Sequence, residues 1–261
     1  MSTPLVIDNL GLCWDSLDEL FDGLTEQQWA TPSLCPGWST RDIMIHLGAI
    51  EHMLLGEAPG SMLDSLPFGK AGDWMNDVKG LDDAAVLERY RQVIAARRDE
   101  LSQLTDDHLA LPSATPVGPG TYGRFMAVRV FDFWVHEQDV RRPLGLPGHR
   151  TGPAADMAID EIYRSLPYII GKKVGLPDGK SITIEIDGGV RRSMYVAVTG
   201  RAGLVDGLDA PDVVLRADST TFALLACGRI DPQGAIDDGS ISWSGDATWG
   251  DAAARNLAFT M

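Results

Sequence analysis

The chain has 261 residues, 44% of them hydrophobic and 23% charged, enough for one large or two ordinary domains with cores of their own. Its formal net charge of −15 opposes binding to phosphate backbones and anionic membrane surfaces, so neither nucleic acid nor a membrane is an expected partner. No stretch of about 18 apolar residues exists to span a bilayer. The N-terminus MSTPLVIDNLGLCWDSLDEL lacks basic residues ahead of its apolar part and does not read as a secretory signal, so the expected compartment is the cytoplasm. The cysteines Cys13, Cys35 and Cys227 are odd in number, widely spaced and without a CxxC. They define no disulfide framework or thiolate cluster and suit a reducing compartment.

Four helices are expected in the first 145 residues. Leu10, Trp14, Leu17, Phe21 and Leu24 recur at the spacing of one helical face. A second helix follows the turn-like CPGW, with Ser39 or Thr40 as N-cap. It runs from about Arg41 to Gly56 with the stripe Ile43, Leu47, Ile50, Leu54. A third covers about Asp82 to Leu104 through Leu87, Tyr90, Ile94, Leu101 and Leu104. A fourth, from about Arg124 to Leu144, comes after LPSATPVGPGTYG, which reads as a Pro/Gly-rich loop. Four long helices with apolar stripes predict a bundle.

The run PLGLPGHRTGP holds Pro143, Pro147 and Pro153 with Gly145, Gly148 and Gly152, and marks a linker. The expected domains are therefore 1–150 and 151–261. In the second, a helix from about Ala154 to Lys172 precedes the strand-like SITIEID and RRSMYVAVTG, joined by the turn signal Asp187-Gly188-Gly189. A strand DVVLRA, a helix STTFALLACG, a strand ISWSGD and a last helix from about Trp249 to Leu257 complete a small α+β domain.

The fourth helix carries RVFDFWVHEQDVRR. Asp132 and His136 are four apart and share a face, so both can reach one ion. Asp132 sits in the apolar run from Val130 to Val135, where a carboxylate is costly unless a cation or hydrogen-bond donors meet it. Asp139 is placed to accept from the second nitrogen of His136 and orient the ring, or simply to face solvent. His46 lies on the buried stripe of the second helix, three after Ile43 and four before Ile50. Two imidazoles and a carboxylate suit zinc or another divalent first-row metal, and three ligands leave an open position. The competing readings are a packed core histidine and an Asp132–Arg129 ion pair that needs no metal. Cys35 reads as a packed cysteine too far from the ion. His46 is seven residues beyond Ser39, about 10 Å along a helix. His52 falls on the opposite face, His108 and His149 lie in loops without an evident partner, and Trp14, Trp29 and Trp38 read as packing. The glycines from Gly118 to Gly123 lack a preceding strand, so no dinucleotide site is expected.

The segments LCPGWSTRDIMIHLGAIE and RVFDFWVHEQDVRRPLG resemble the mycothiol-dependent maleylpyruvate isomerase family. The stretches VVLRADSTTFALLACGRID and SGDATWGDAAARNLAFTM resemble that family's second domain. The resemblance implies an α+β two-domain fold, with a DinB-like four-helix bundle followed by a small sterol-carrier-like α/β domain. It implies metal ligation by His46, Asp132 and His136, with Asp132 where the family's type member has a glutamate. It implies an activity-related role for Arg229 of the CGR motif, and mycothiol as cofactor. The implied reaction is attack by a metal-held thiolate on a small electrophile, giving isomerisation or S-conjugation. A non-catalytic metal- and ligand-binding protein and a metal-assisted hydrolase are the alternatives.

Overall fold

The computed structural model describes residues 4–260. The chain divides into two compact units, one running to His149 and the other starting at Arg150. In the first, α1 (Leu5–Asp22) is followed by a single turn, α2 (Glu26–Trp29), and by α3 (Thr40–Leu54). After these come α4 (Phe68–Val78), α5 (Asp83–Leu101) and the short α6 (Asp106–Leu109). Strands β1 (Pro112–Thr115) and β2 (Gly118–Thr121) form an antiparallel hairpin, and α7 (Tyr122–Arg141) follows directly. The segment expected to be only a loop thus holds a hairpin, stabilised in part by Thr115, whose hydroxyl donates to the Gly118 carbonyl at 2.6 Å.

The four expected helices correspond to α1, α3, α5 and α7, and their apolar stripes form the core. Leu10, Trp14, Leu17 and Phe21 of α1 are buried, as are Ile43, Leu47 and Leu54 of α3 and Leu87, Tyr90, Ile94 and Leu101 of α5. Helix α7 is buried around most of its circumference, from Phe125 and Met126 through Phe133 and Trp134 to Val140. It therefore occupies the centre, packing on α1 and α3. The extra helix α4 lies on α3 at a contact only glycine permits. A Cβ on Gly48 would sit 2.6 Å from the indole edge of Trp74.

The second unit begins with α8 (Pro153–Tyr168), which widens into a π-helical turn over Ile169–Val174 just after Pro167. Pro167 removes one N–H from the ladder, and the wider turn accommodates the resulting mismatch. Five strands then build one sheet in the order β5-β4-β3-β6-β7. They are β3 (Ser181–Asp187), β4 (Arg192–Thr199), β5 (Arg201–Leu204), β6 (Val213–Asp218) and β7 (Ile241–Gly245). The Asp187-Gly188-Gly189 signal does turn β3 into antiparallel β4, with Ile186 opposite Arg192. Strand β6 runs parallel to β3. Helices α9 (Ser219–Ala226), α10 (Pro232–Asp237) and α11 (Ala247–Arg255) complete the unit. No helix among the described residues is long and apolar enough to cross a membrane.

Candidate metal centre

Helix α3 begins with a capping box. The Ser39 hydroxyl accepts from the Asp42 N–H at 3.2 Å and the Asp42 carboxylate accepts from the Ser39 N–H at 2.8 Å. That start fixes the phase of α3 and turns His46 toward α7. There it meets Asp132 and His136, one turn apart. His46 Nε2 lies 3.5 Å from Asp132 Oδ2, and His136 Nε2 lies 3.5 Å from Asp132 Oδ1. One ligand atom from each of the three residues falls within 4.8 Å of the other two. In a tetrahedral zinc site with bonds of 2.0–2.2 Å, neighbouring ligand atoms are about 3.4 Å apart. The two 3.5 Å approaches are close to that spacing, so these three side chains are a possible ligand group for one ion.

The orientation of the second imidazole is set from behind. His136 Nδ1 is 2.9 Å from Asp139 Oδ2, and Asp139 is fully buried. A carboxylate there keeps the proton on Nδ1 and leaves the Nε2 lone pair for an ion. Trp38, from CPGW, covers both rings. Its ring centroid is 4.9 Å from that of His46 and 5.8 Å from that of His136, nearly parallel to the latter. Sequence reasoning missed this role, although CPGW immediately precedes the helix bearing His46.

Arg129 does pair with Asp132, through Nη1 and Oδ2. The pair is one end of a buried chain. Arg129 Nε donates to Glu51 Oε1 at 2.9 Å, and Glu51 Oε2 accepts from Arg97 Nε at 3.0 Å. Arg97 also donates to Glu100 at 2.7 Å and to the Tyr122 hydroxyl at 3.3 Å. Burial acts to raise the Asp132 pKa, but the Arg129 guanidinium, the His46 hydrogen bond and the two imidazoles outweigh it. The carboxyl is held well below the usual carboxylate range. The arginine pair and metal ligation are compatible, since a carboxylate has two oxygens and about four lone-pair sites. The signal for this chain was present in the sequence. Glu51 lies four beyond Leu47, and Arg97 lies between Ile94 and Leu101, both on apolar stripes.

Cys35 is buried and is not among the His46, Asp132 and His136 donors, yet its sulfur lies within 4.8 Å of ligand atoms of both His136 and Asp139. The loop between Thr31 and Thr40 brings it there by doubling back on itself. Pro32 bridges to Ser39, Ser33 N–H donates to the Trp38 carbonyl at 2.8 Å, and Gly37 takes a positive φ of 80° that favours glycine. Leu34 N–H donates to the Asp139 carbonyl at 3.0 Å. That carbonyl is available because the residue four further on is Pro143, which has no N–H to offer it.

The other candidates lie elsewhere. His52 faces Trp74, 6.5 Å away between ring centroids. His108 caps α6, its Nδ1 3.1 Å from the Thr105 nitrogen. His149 has a partner after all, with Nδ1 2.6 Å from Oε2 of the buried Glu137. Arg229 belongs to the second unit and donates from Nη1 to the Cys227 carbonyl at 2.9 Å, in the turn where Gly228 (φ 65°) ends α9.

The family model described as mycothiol maleylpyruvate isomerase N-terminal domain matches residues 10–141, and that described as MDMPI C-terminal domain matches residues 156–255. The chain belongs to the mycothiol-dependent maleylpyruvate isomerase family, a family of enzymes. Two crystal structures of a mycothiol-dependent maleylpyruvate isomerase, one of them a histidine-to-alanine mutant, share its fold. Each is 16% identical and covers 95% of this chain and 98% of its own, with TM-scores of 0.59 and 0.58 for the unmodified protein and the mutant. A sterol carrier protein 2 from Yarrowia lipolytica in its apo form, 15% identical, covers 40% of this chain and 91% of its own with a TM-score of 0.30. Among curated protein sequences none matches this chain.

Proposed function

We propose that this chain is a metal- and mycothiol-dependent isomerase or S-transferase, with zinc or another divalent first-row ion held by His46, Asp132 and His136. The observation that carries the reading is the approach of two imidazole nitrogens to the two oxygens of one carboxylate, each at 3.5 Å. His46, Asp132 and His136 would hold the ion, which would supply the acidity that keeps a bound thiol deprotonated at neutral pH; addition of that thiol to an electrophilic double bond would give isomerisation if it left again after bond rotation and conjugation if it stayed.

The chain's own residues have distinct tasks in that reading. A dication with one carboxylate and two neutral imidazoles keeps a net charge of +1, which favours an anionic fourth ligand. None of the three ligands is a cysteine, so the position for an external thiolate stays open. Asp139 holds the Nδ1 proton of His136. Arg129, itself anchored to Glu51 and through it to Arg97, pairs with Asp132 and favours its ionised form. Trp38 packs against both imidazoles. For Arg229 the proposal keeps an activity-related role, its guanidinium being able to pair with an anionic group through parallel N–H donors.

The test is isomerisation of maleylpyruvate by the zinc-loaded protein, with and without mycothiol, for wild type, His46→Ala and His136→Ala. The proposal expects turnover only with both thiol and metal. It also expects zinc affinity weakened by more than about a hundredfold in each variant, since a direct ligand contributes more than an outer-shell partner. Metal-dependent turnover without thiol, or variants with undiminished zinc affinity, would overturn it.

A further inference from the structure

Behind the centre described above lies a second set of ligand-type groups. Cys35 Sγ, His136 and Asp139 each offer an atom within 4.8 Å of the other two, and all three residues are buried. The hydrogen bond from Leu34 to the Asp139 carbonyl pins the cysteine loop to α7, so the sulfur is held by backbone and not only by side-chain packing. The set contains a soft thiolate, a borderline imidazole and a hard carboxylate.

We propose that Cys35, His136 and Asp139 form a second metal position, selective for thiophilic ions such as cadmium, which shares His136 with the zinc position. The charge balance favours it. A dication with one thiolate and one carboxylate is neutral, whereas the outer set leaves +1 on the ion. A neutral complex suits this position, because Asp139 is fully buried and Cys35 is 9% exposed, while the outer ligands His46 and Asp132 are about a quarter exposed. Ligand softness separates the ions, as thiolate prefers thiophilic metals and the outer N/O set suits zinc. Binding is balanced as a proton exchange. The ion takes the Cys35 sulfur and the His136 nitrogen that faces Asp139, and the protons they carried leave to solvent or to the far ring nitrogen. A neutral imidazole has one nitrogen lone pair, so occupation of the inner position withdraws His136 from the outer one.

Cadmium titration of the metal-free, full-length protein, followed by ultraviolet absorption, tests this independently of the thiol-dependent reading. A sulfur-to-cadmium charge-transfer band is expected to rise and saturate at one equivalent in wild type and to persist in His46→Ala, which lacks an outer ligand but keeps the inner set. In Cys35→Ser the band is expected to vanish, leaving Cys13 and Cys227, both buried, silent. Cadmium bound to folded wild type and to His46→Ala without any such band would overturn the proposal, as would a band that survives in Cys35→Ser. Should Cys35→Ser fail to fold, wild type and His46→Ala still decide it. Failure here leaves zinc affinity and thiol-dependent turnover untouched, so the two readings fail separately.

Discussion

Replacing Glu51 by glutamine keeps the shape of the side chain and removes one negative charge from a place where water cannot compensate. Glu51 has no exposed side-chain surface, and its partners Arg97 and Arg129 are 1% and 4% exposed. Without the carboxylate, two buried guanidinium groups lose their shared counter-charge, and an amide oxygen accepts from only one of them well. Breaking a buried pair in this way costs about 3–5 kcal/mol. The control is Asp15→Asn, which loses an ion pair with Arg98 whose side chains are 70% and 39% exposed. There the expected loss is about 0–1 kcal/mol, because solvent screens the pair. Urea denaturation of the metal-free proteins, followed by tryptophan fluorescence, compares the two without a contribution from bound metal. The glutamine variant should lose at least about 2 kcal/mol more than the control. Losses equal within about 1 kcal/mol would refute the reasoning that burial makes this chain of charges matter.

Other consequences follow from the same geometry. Asp139→Asn should weaken zinc binding about 10–100-fold in a chelator competition, because the amide no longer enforces the Nδ1 proton of His136; unchanged affinity would remove Asp139 from the account. Gly48→Ala should cost about 1–3 kcal/mol by urea denaturation, since its Cβ would lie 2.6 Å from Trp74, and an unchanged midpoint would mean that α4 shifts freely. In the metal-free protein the Asp132 carboxyl should titrate below its unfolded value of about 3.9, read by carboxyl carbon NMR. For a depressed acid the stabilising contribution is fully present above the unfolded pKa and lost as pH falls through the lower folded one, so a midpoint at or above the ordinary value would contradict the arginine pairing.

The bundle was legible in the sequence because its four long helices each carry an apolar stripe at helical spacing. The extra helix α4 has one too, through the buried Ala71, Trp74 and Val78, but glycines at 69 and 72 mask it by lowering helix propensity. Strand β5 is four residues at a sheet edge, Arg-Ala-Gly-Leu, with neither alternation nor β-branched residues to announce it. In the second unit, hydrophobic alternation located β3, β4 and β6, and the Asp-Gly-Gly turn gave the antiparallel β3–β4 pairing; the parallel placement of β6 beside β3 is a long-range choice with no local signature. At the candidate centre, the four-residue spacing of Asp132 and His136 could be read directly, whereas the approach of His46 depends on how two helices pack. The nearness of Cys35 to His136 and Asp139 had no sequence signal, because a rise-per-residue argument holds only within a helix and its loop is governed by hydrogen bonds to distant residues. The partners Glu51 and Arg97 were visible as charges on apolar stripes, but only the structure pairs them with each other.

X-ray absorption at the zinc edge, recorded before and after mycothiol is added, tests the central claim most directly. The account predicts a first shell of nitrogen and oxygen at about 2.0–2.2 Å with no sulfur, joined by a single sulfur at about 2.3 Å once the thiol is present. A sulfur in the zinc shell before any thiol is added, or a shell indifferent to the thiol, would contradict it.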